Sequence, residues 1–557
     1  LLDPQDYTIA AVGGDITGND LSVALGVTNV TISSAAGGTV GNGDIFVNDA
    51  VSWGANTLTL DAERNIEINA VMTATTGFGP AGLVMNTGPE GSVLVGFNAG
   101  EATGFKGRVD LSGGVSLNIN GNPYTLINNL NALQDMISDL SGYYALGSDI
   151  DASATIGWEG GKGFDPIGDS ISPFNGAFDG LGHTISDLTI NRPDTDFIGL
   201  FGYTNNAVIR NVGLESSSVI GGQYHVGGLA GYIEYSDIIN SYATGDVTGA
   251  YKFVGGLVGE CDYDSTIIDS YAAGSVTGEK EVGGLVGSCG NLDSAISAII
   301  DSYFTGSVTG TGTGQHGGLV GVMHGNLVNS FYNIDTVSID GDHYVYIGGL
   351  YNDQYDDWIA GDKTLNIGDY STLALNGGYY DIGTVQGMKD LLGFAGDSTF
   401  NFRLSADIDL ASAPGLWIPL LGADFDGNGH TISNLYINQS FSSAVGMFGT
   451  VHSDISNLGL ENVSVSGSNT VGGLVGGISG SSADYAVISN CSVTGTVTGL
   501  DGSVGGLVGY SIYSTISDSY AECDVSSGSE GLVGGLVGYN FSSAIIDSWF
   551  SGSVTGT

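Results

Sequence analysis

The sequence predicts an all-β chain: an elongated right-handed parallel β-helix, or solenoid, with short capping helices. Three observations carry this. A six-residue word, Val-Gly-Gly-Leu-Val-Gly, starts at Val254, Val282, Val471, Val504 and Val533, with close variants at Phe197, Val226, His316 and Val445. Within each block successive copies lie 26 to 34 residues apart, and a period in that range marks stacked repeats. Composition agrees: Gly supplies 95 of 557 residues and Pro only 9. Such a chain turns often without being collagen-like, and the repeats carry no helical periodicity.

Each unit holds three short β-type segments. The Gly-rich word is the first. The second reads Ile-Ile-Asp-Ser-Tyr or similar, at 238–242, 267–271, 299–303, 327–331, 516–520 and 545–549. The third, Gly-Ser-Val-Thr-Gly, closes the unit at 274–278 and 306–310. Short segments of β-branched and aromatic residues between turn formers read as strands. Stacked as coils, equivalent positions fall about 4.8 Å apart, and glycine allows tight corners and close approach between coils.

A larger duplication encloses these units. Asp149-Ile150-Asp151 returns as Asp407-Ile408-Asp409, and Phe178-Asp179-Gly180-Leu181-Gly182-His183 as Phe425-Asp426-Gly427-Asn428-Gly429-His430. The expected organisation is therefore a β-helical segment at 1–121 with smaller coils, then a first repeat module at 122–350. An irregular Tyr/Asp/Gly-rich connection follows at 351–383. A second module at 384–557 is expected to continue beyond the given sequence. Helices are expected at 126–140 and 385–392, ahead of each module, where they would cover a solenoid edge or flank.

Charge bounds the function. Asp and Glu total 59 against 11 Lys and Arg, a formal net charge of −48. Nucleic acid needs cations to displace its counterions, and anionic lipid is disfavoured for the same reason. No Walker-type loop, His-Glu-x-x-His pair or Cys-x-x-Cys is present. Arg403 is the last cation, so the repeats of the second module hold no Lys or Arg base. The expectation is a chain without enzymatic activity or obligatory cofactor.

Several columns merit attention. Asn240, Asp269, Asp301 and Asn329 would stack at coil spacing. Such a column must face solvent, bond turn amides or bind a cation. Calcium is the ion that suits these oxygens, with Asp269 and Asp301 as candidate ligands. Next to it, Tyr242, Tyr271, Tyr303 and Phe331, and later Tyr520 and Trp549, form an expected aromatic ladder. Asp179, His183, Asp426 and His430 recur with their context and read as turn or cap residues. Cys261 and Cys289 occupy the same place in consecutive coils, so a disulfide is expected there. Cys491 and Cys523 are out of register, opposite Ser519 and Gly495.

The Val-Gly-Gly-Leu-Val-Gly units resemble GLUG motifs. The order Gly43-Asp44-Ile45, Leu58-Thr59-Leu60-Asp61, Asn65-Ile66-Glu67-Ile68 and Ile119-Asn120-Gly121-Asn122-Pro123-Tyr124 resembles the repeat region of filamentous-haemagglutinin-type proteins. That resemblance implies a β-helical segment of a large secreted adhesin or extracellular-matrix filament of Gram-negative bacteria. Such proteins are exported by two-partner secretion through an outer-membrane transporter. The implied partner is a host, neighbouring-cell or matrix surface, with self-association as a further expectation. The alternative is a β-helical protein that binds or degrades carbohydrate.

Overall fold

The computed structural model describes residues 5–36, 39–77, 79–97, 104–290, 297–481, 485–528 and 531–556. The chain forms two compact units. One comprises residues 1–306 with 320–330; the other comprises 307–319 with 331–557. Both are parallel β-solenoids, as the repeat predicts.

In the first unit one sheet of 12 strands runs from Val30–Ser33 to Asn326–Val328. Pairing is in register between like residues: Ile238 faces Ile267, and Ile267 faces Ile299. Val226 faces Val254, which faces Val282. Inward side chains therefore stack on copies of themselves, so the same residues repeat at each coil. A second sheet on another side of the coil holds five strands, from Phe201–Asn205 to Val320–Met323.

The amino-terminal segment departs from expectation in two ways. It is continuous with the first module, because its strands belong to the same 12-stranded sheet. Its coils are irregular rather than uniformly smaller: Ile45 pairs with Ile66, 21 residues on, whereas Val71 pairs with Arg108, 37 on. The junction is an antiparallel hairpin, with Leu117 opposite Tyr124. Asn120 and Gly121 form its turn at φ 52° and 83°, the left-handed pair a two-residue hairpin needs.

The expected helix at 126–140 is shorter. Residues Asn122–Ile127 are a strand, and Leu126 pairs with Ala145. The helix starts at Leu130 because the Asn129 side chain caps the Ala132 amide, and it tightens to a 3-10 turn over Asp135–Ser138. Backbone pairing overrode the apolar spacing there.

The second unit opens the same way. A hairpin pairs Leu373 with Ile382 across Gly377 and Gly378, and a Thr384-capped helix spans Val385–Asp390. An eight-stranded sheet then runs to Ala544–Ile546. The connection at 351–383 is more ordered than its composition suggests, with a helix over Asn352–Ala360 that buries Trp358. The duplicated words occupy equivalent strands: Ala177–Asp179 and Thr184–Ser186 in one module, Asp424–Asp426 and Thr431–Ser433 in the other. Phe178 packs edge-on against Phe201 at 5.4 Å, and Phe425 packs on Phe448 at 4.9 Å. All four rings are fully buried.

The glycines of the word have distinct steric reasons. At Gly472 a Cβ would lie 2.1 Å from Val475 O and 2.7 Å from Gly509 N. The first glycine therefore meets its own corner and the next coil. At Gly509 a Cβ would lie 2.6 Å from both Gly476 O and Val471 N. The last glycine meets the preceding coil. Any side chain at either place would separate the coils.

Candidate functional site: the turn column

Beside the second strand of each coil runs a column in the left-handed conformation. In the first unit it is Asn211, Asn240, Asp269, Asp301 and Asn329, at φ 53°, 52°, 50°, 51° and 45°. In the second it is Asn457, Asn490, Asp518 and Asp547, at φ 53°, 52°, 49° and 46°. Asn and Asp are the non-glycine residues that best tolerate this region. Backbone conformation thus explains the residue type at Asp269 and Asp301 without a cation. Asn329 Nδ2 donates to Asp301 Oδ1. Among the described residues, no group of three or more His, Cys, Asp or Glu is arranged to hold a metal.

The cap residues sit at the head of each column. Asp179 is buried, accepts from Leu181 N at 2.9 Å and Asn211 Nδ2 at 3.0 Å, and pairs with Arg210 at 2.7 Å. Asp426 accepts from Asn428 N at 2.8 Å and Asn457 Nδ2 at 2.9 Å. His183 Nδ1 lies 3.0 Å from Asp149, and His430 Nδ1 lies 3.1 Å from Asp407. The hydrogen bond from His183, then that from Thr184 N, holds the Asp149 carboxyl below its ordinary pKa. Asp407 is held down by Thr431 N and then by His430.

The aromatic ladder stacks. Tyr242 and Tyr271 lie 4.8 Å apart at 5°, Tyr271 and Tyr303 4.8 Å apart at 9°, and Tyr520 and Trp549 4.5 Å apart at 1°. Phe331 packs edge-to-face on Trp358 at 5.2 Å. Each stacked pair adds about 0.5–1.5 kcal/mol beyond burial. Tyr242 and Tyr271 are buried. Phe97 and Phe105 cover them, and Gly104 N donates to Tyr271 Oη at 3.3 Å. That cover was not visible in the sequence, since nothing local ties residues 93–97 and 104–109 to a column more than 100 residues later.

Cys261 and Cys289 are in-register partners, but both carry free, buried thiols and form no bridge. An in-register parallel pair keeps its Cβ atoms near the coil spacing of about 4.8 Å, whereas a disulfide needs about 3.5–4.5 Å. Burial, then the neighbouring Cys289, pushes the Cys261 thiol pKa up. Cys523 faces Gly495, and Ser519 Oγ accepts from Cys491 N at 3.0 Å. Burial lifts Cys491 to about 12 and Cys523 to about 11.

In the second unit a polar pocket of about 110 Å³ is lined by Asp335, Tyr351, Gln354, Lys389 and Asp390, among others. Its groups serve the local structure. Asp335 accepts from Asn352 N at 2.8 Å, Gln386 donates to Asp390 at 2.8 Å, and Lys389 Nζ sits 4.2 Å over the Tyr351 ring.

Three stretches, 222–248, 467–498 and 501–526, match the GLUG motif. The fold and these matches define a GLUG-repeat β-solenoid. Over 135 residues the chain is 42% identical to halomucin of Haloquadratum walsbyi, covering 23% of this chain and 2% of that protein. Over 92 residues it is 39% identical to a provisionally named Gly-rich membrane protein of Evansella cellulosilytica, covering 16% and 10%. The chain therefore spans a small fraction of either relative's length. A solved structure provisionally titled an immunoglobulin A1 protease, from Bacteroides ovatus, aligns over 67% of this chain and 75% of its own. Its TM-score is 0.31 at 16% identity, a likeness that carries no argument.

Proposed function

We propose that the chain is a structural segment of a surface adhesin or extracellular-matrix filament that mediates attachment or aggregation, acting by binding and not by catalysis. The observation that carries this is the use made of its polar and aromatic columns. Asn and Asp hold left-handed turns, rings stack on rings, and carboxylates cap main-chain amides. These serve a rigid repeat built to present a surface. The names of the two relatives support a place at or outside the cell surface. Export by two-partner secretion through an outer-membrane transporter rests on the resemblance to filamentous-haemagglutinin-type proteins. Any bound Ca²⁺ would act by bridging acidic faces.

The test is a glycan and whole-cell binding screen with the full chain, with and without Ca²⁺. The expected result is saturable retention on a cell or matrix surface without release of cleaved sugar. Polysaccharide turnover by the purified chain would replace this reading with the carbohydrate-degrading one.

A further inference from the structure

The duplication supplies a template for a docking site. In the first unit Val93–Val95, a strand paired with Ile66–Ile68, and Val109, paired with Met72, have their side chains in the amino-terminal core and meet the column through their main chain. Asn211 Nδ2 donates to Val93 O at 3.0 Å, and Val95 N donates to Asn211 Oδ1 at 3.1 Å. Asn240 Nδ2 donates to Val95 O at 2.6 Å, and His183 Nε2 stands 2.9 Å from Val109 O. Gly182 is needed beneath this main chain, since a Cβ there would lie 2.6 Å from Gly107 O.

The second unit repeats the column rung for rung. Asn457 Nδ2 donates to Asp426 at 2.9 Å, as Asn211 does to Asp179 at 3.0 Å. Asn490 Nδ2 donates to Asn457 Oδ1 at 2.9 Å, as Asn240 does to Asn211 at 2.7 Å. Thr431 N donates to Asp407, as Thr184 N does to Asp149, both at 3.0 Å. No such segment covers it among the described residues. A Cβ at Gly429, the counterpart of Gly182, would meet nothing within 4 Å. The His430 side chain is 32% exposed where that of His183 is 1% exposed. Its Nε2 makes no hydrogen bond among the described residues.

We propose that this second column, from His430 through Asn457 to Asn490, docks an extended polypeptide strand of another chain through its main chain, as the first meets Val93, Val95 and Val109. One difference sets the strand's chemistry. Leu181 is fully buried among the apolar residues of the amino-terminal core, whereas its counterpart Asn428 is exposed. The docked strand therefore carries a polar side chain in the place of Val95, whose Cγ1 lies 2.8 Å from the Cβ position of Gly182, the residue after Leu181. The column's Asn side chains would read the strand's main chain, as they do at Val93 and Val95, and the strand's own side chains would choose the partner. It rests on the internal repeat and not on the adhesion reading, so either can fail alone.

The probe is a fluorescein-labelled peptide of residues 91–111 carrying Val95→Thr, titrated with the full chain and followed by anisotropy. The expected result is saturable binding that weakens at least about ten-fold when Asn457→Ala and Asn490→Ala remove two main-chain contacts. Circular dichroism checks that the variant stays folded, and the unsubstituted peptide should bind Asn428→Leu better than it binds the wild type. Absence of saturable binding would overturn the proposal. So would binding indifferent to Asn457→Ala and Asn490→Ala, or binding seen only with Asn428→Leu.

Discussion

Substituting Gly472 by Ala tests the account of the repeat word directly. The new Cβ would lie 2.1 Å from Val475 O, 2.7 Å from Gly509 N and 2.8 Å from Leu507 O. All three are backbone atoms, so no side chain can swing aside and the corner must move off the next coil. Overpacking of this kind costs about 1–3 kcal/mol. The shift also strains the corner's bonds from Leu474 N and Val475 N to Leu507 O, at 3.0 and 3.1 Å, each worth about 1 kcal/mol. The expected loss is about 3–5 kcal/mol. It should fall on neighbouring coils, because a solenoid's stability is a sum of nearest-neighbour terms. Hydrogen exchange on peptides covering 470–512 reads it, alongside the thermal transition. The control lies just past the same word. Gly477 has nothing within 4 Å of its missing Cβ, and its in-register partner in the next coil is Tyr510. Gly477→Ala should be neutral, or stabilising by about 0.4–1 kcal/mol through the unfolded state. Indistinguishable exchange in the two variants would refute the steric account.

Phe178→Ala and Phe425→Ala should each cost about 3–5 kcal/mol by chemical denaturation; a large cost at one and none at the other would break the equivalence of the modules. For Asp149 the sign follows from its lowered pKa. The stabilisation is present above the unfolded value of about 3.9 and lost as pH falls through the lower folded value. The melting-temperature gap between wild type and Asp149→Asn should therefore be open at neutral pH and close in acid, and a gap that widens in acid would contradict the pairing. Denatured, non-reduced protein should titrate with four free thiols, and the native chain should react slowly with thiol reagents because all four are buried and burial raises the pKa of Cys261, Cys491 and Cys523.

Much of the fold was legible because one word recurs. Identical residues at a fixed period can all be buried alike only by stacking, and the glycines then mark where backbones touch. The Asn and Asp column was legible as a column, but its cause was not. Periodicity gives position, whereas the left-handed φ at Asp269 and Asp301 depends on how the chain leaves one strand for the next. The disulfide expectation failed for a related reason. Register placed Cys261 opposite Cys289 correctly, yet the parallel direction of their Cβ bonds, which forbids a short Cβ separation, follows from geometry and not from spacing. The helix over Asn352–Ala360 was missed because its apolar anchors, Tyr355 and Trp358, sit among Asp, Asn and Gln that read as loop.

What the repeat could not reveal is which copies of a column are covered. Asp149 and Asp407, His183 and His430, and Asn211 and Asn457 are equivalent by sequence context and by local hydrogen bonds. They differ in environment because Val93, Val95 and Val109 meet the first set, a contact set by an irregular coil outside the repeat. The sequence does carry a trace of this, at one residue. Leu181 interrupts a polar turn where its twin has Asn428, and an apolar residue in a left-handed turn, at φ 52°, is costly unless burial offsets the strain. Such a mismatch between duplicated words marks where one copy acquired a partner. In a chain built of near-identical coils, the positions that break the pattern are therefore the ones that locate contacts, and the positions that keep it locate only the fold.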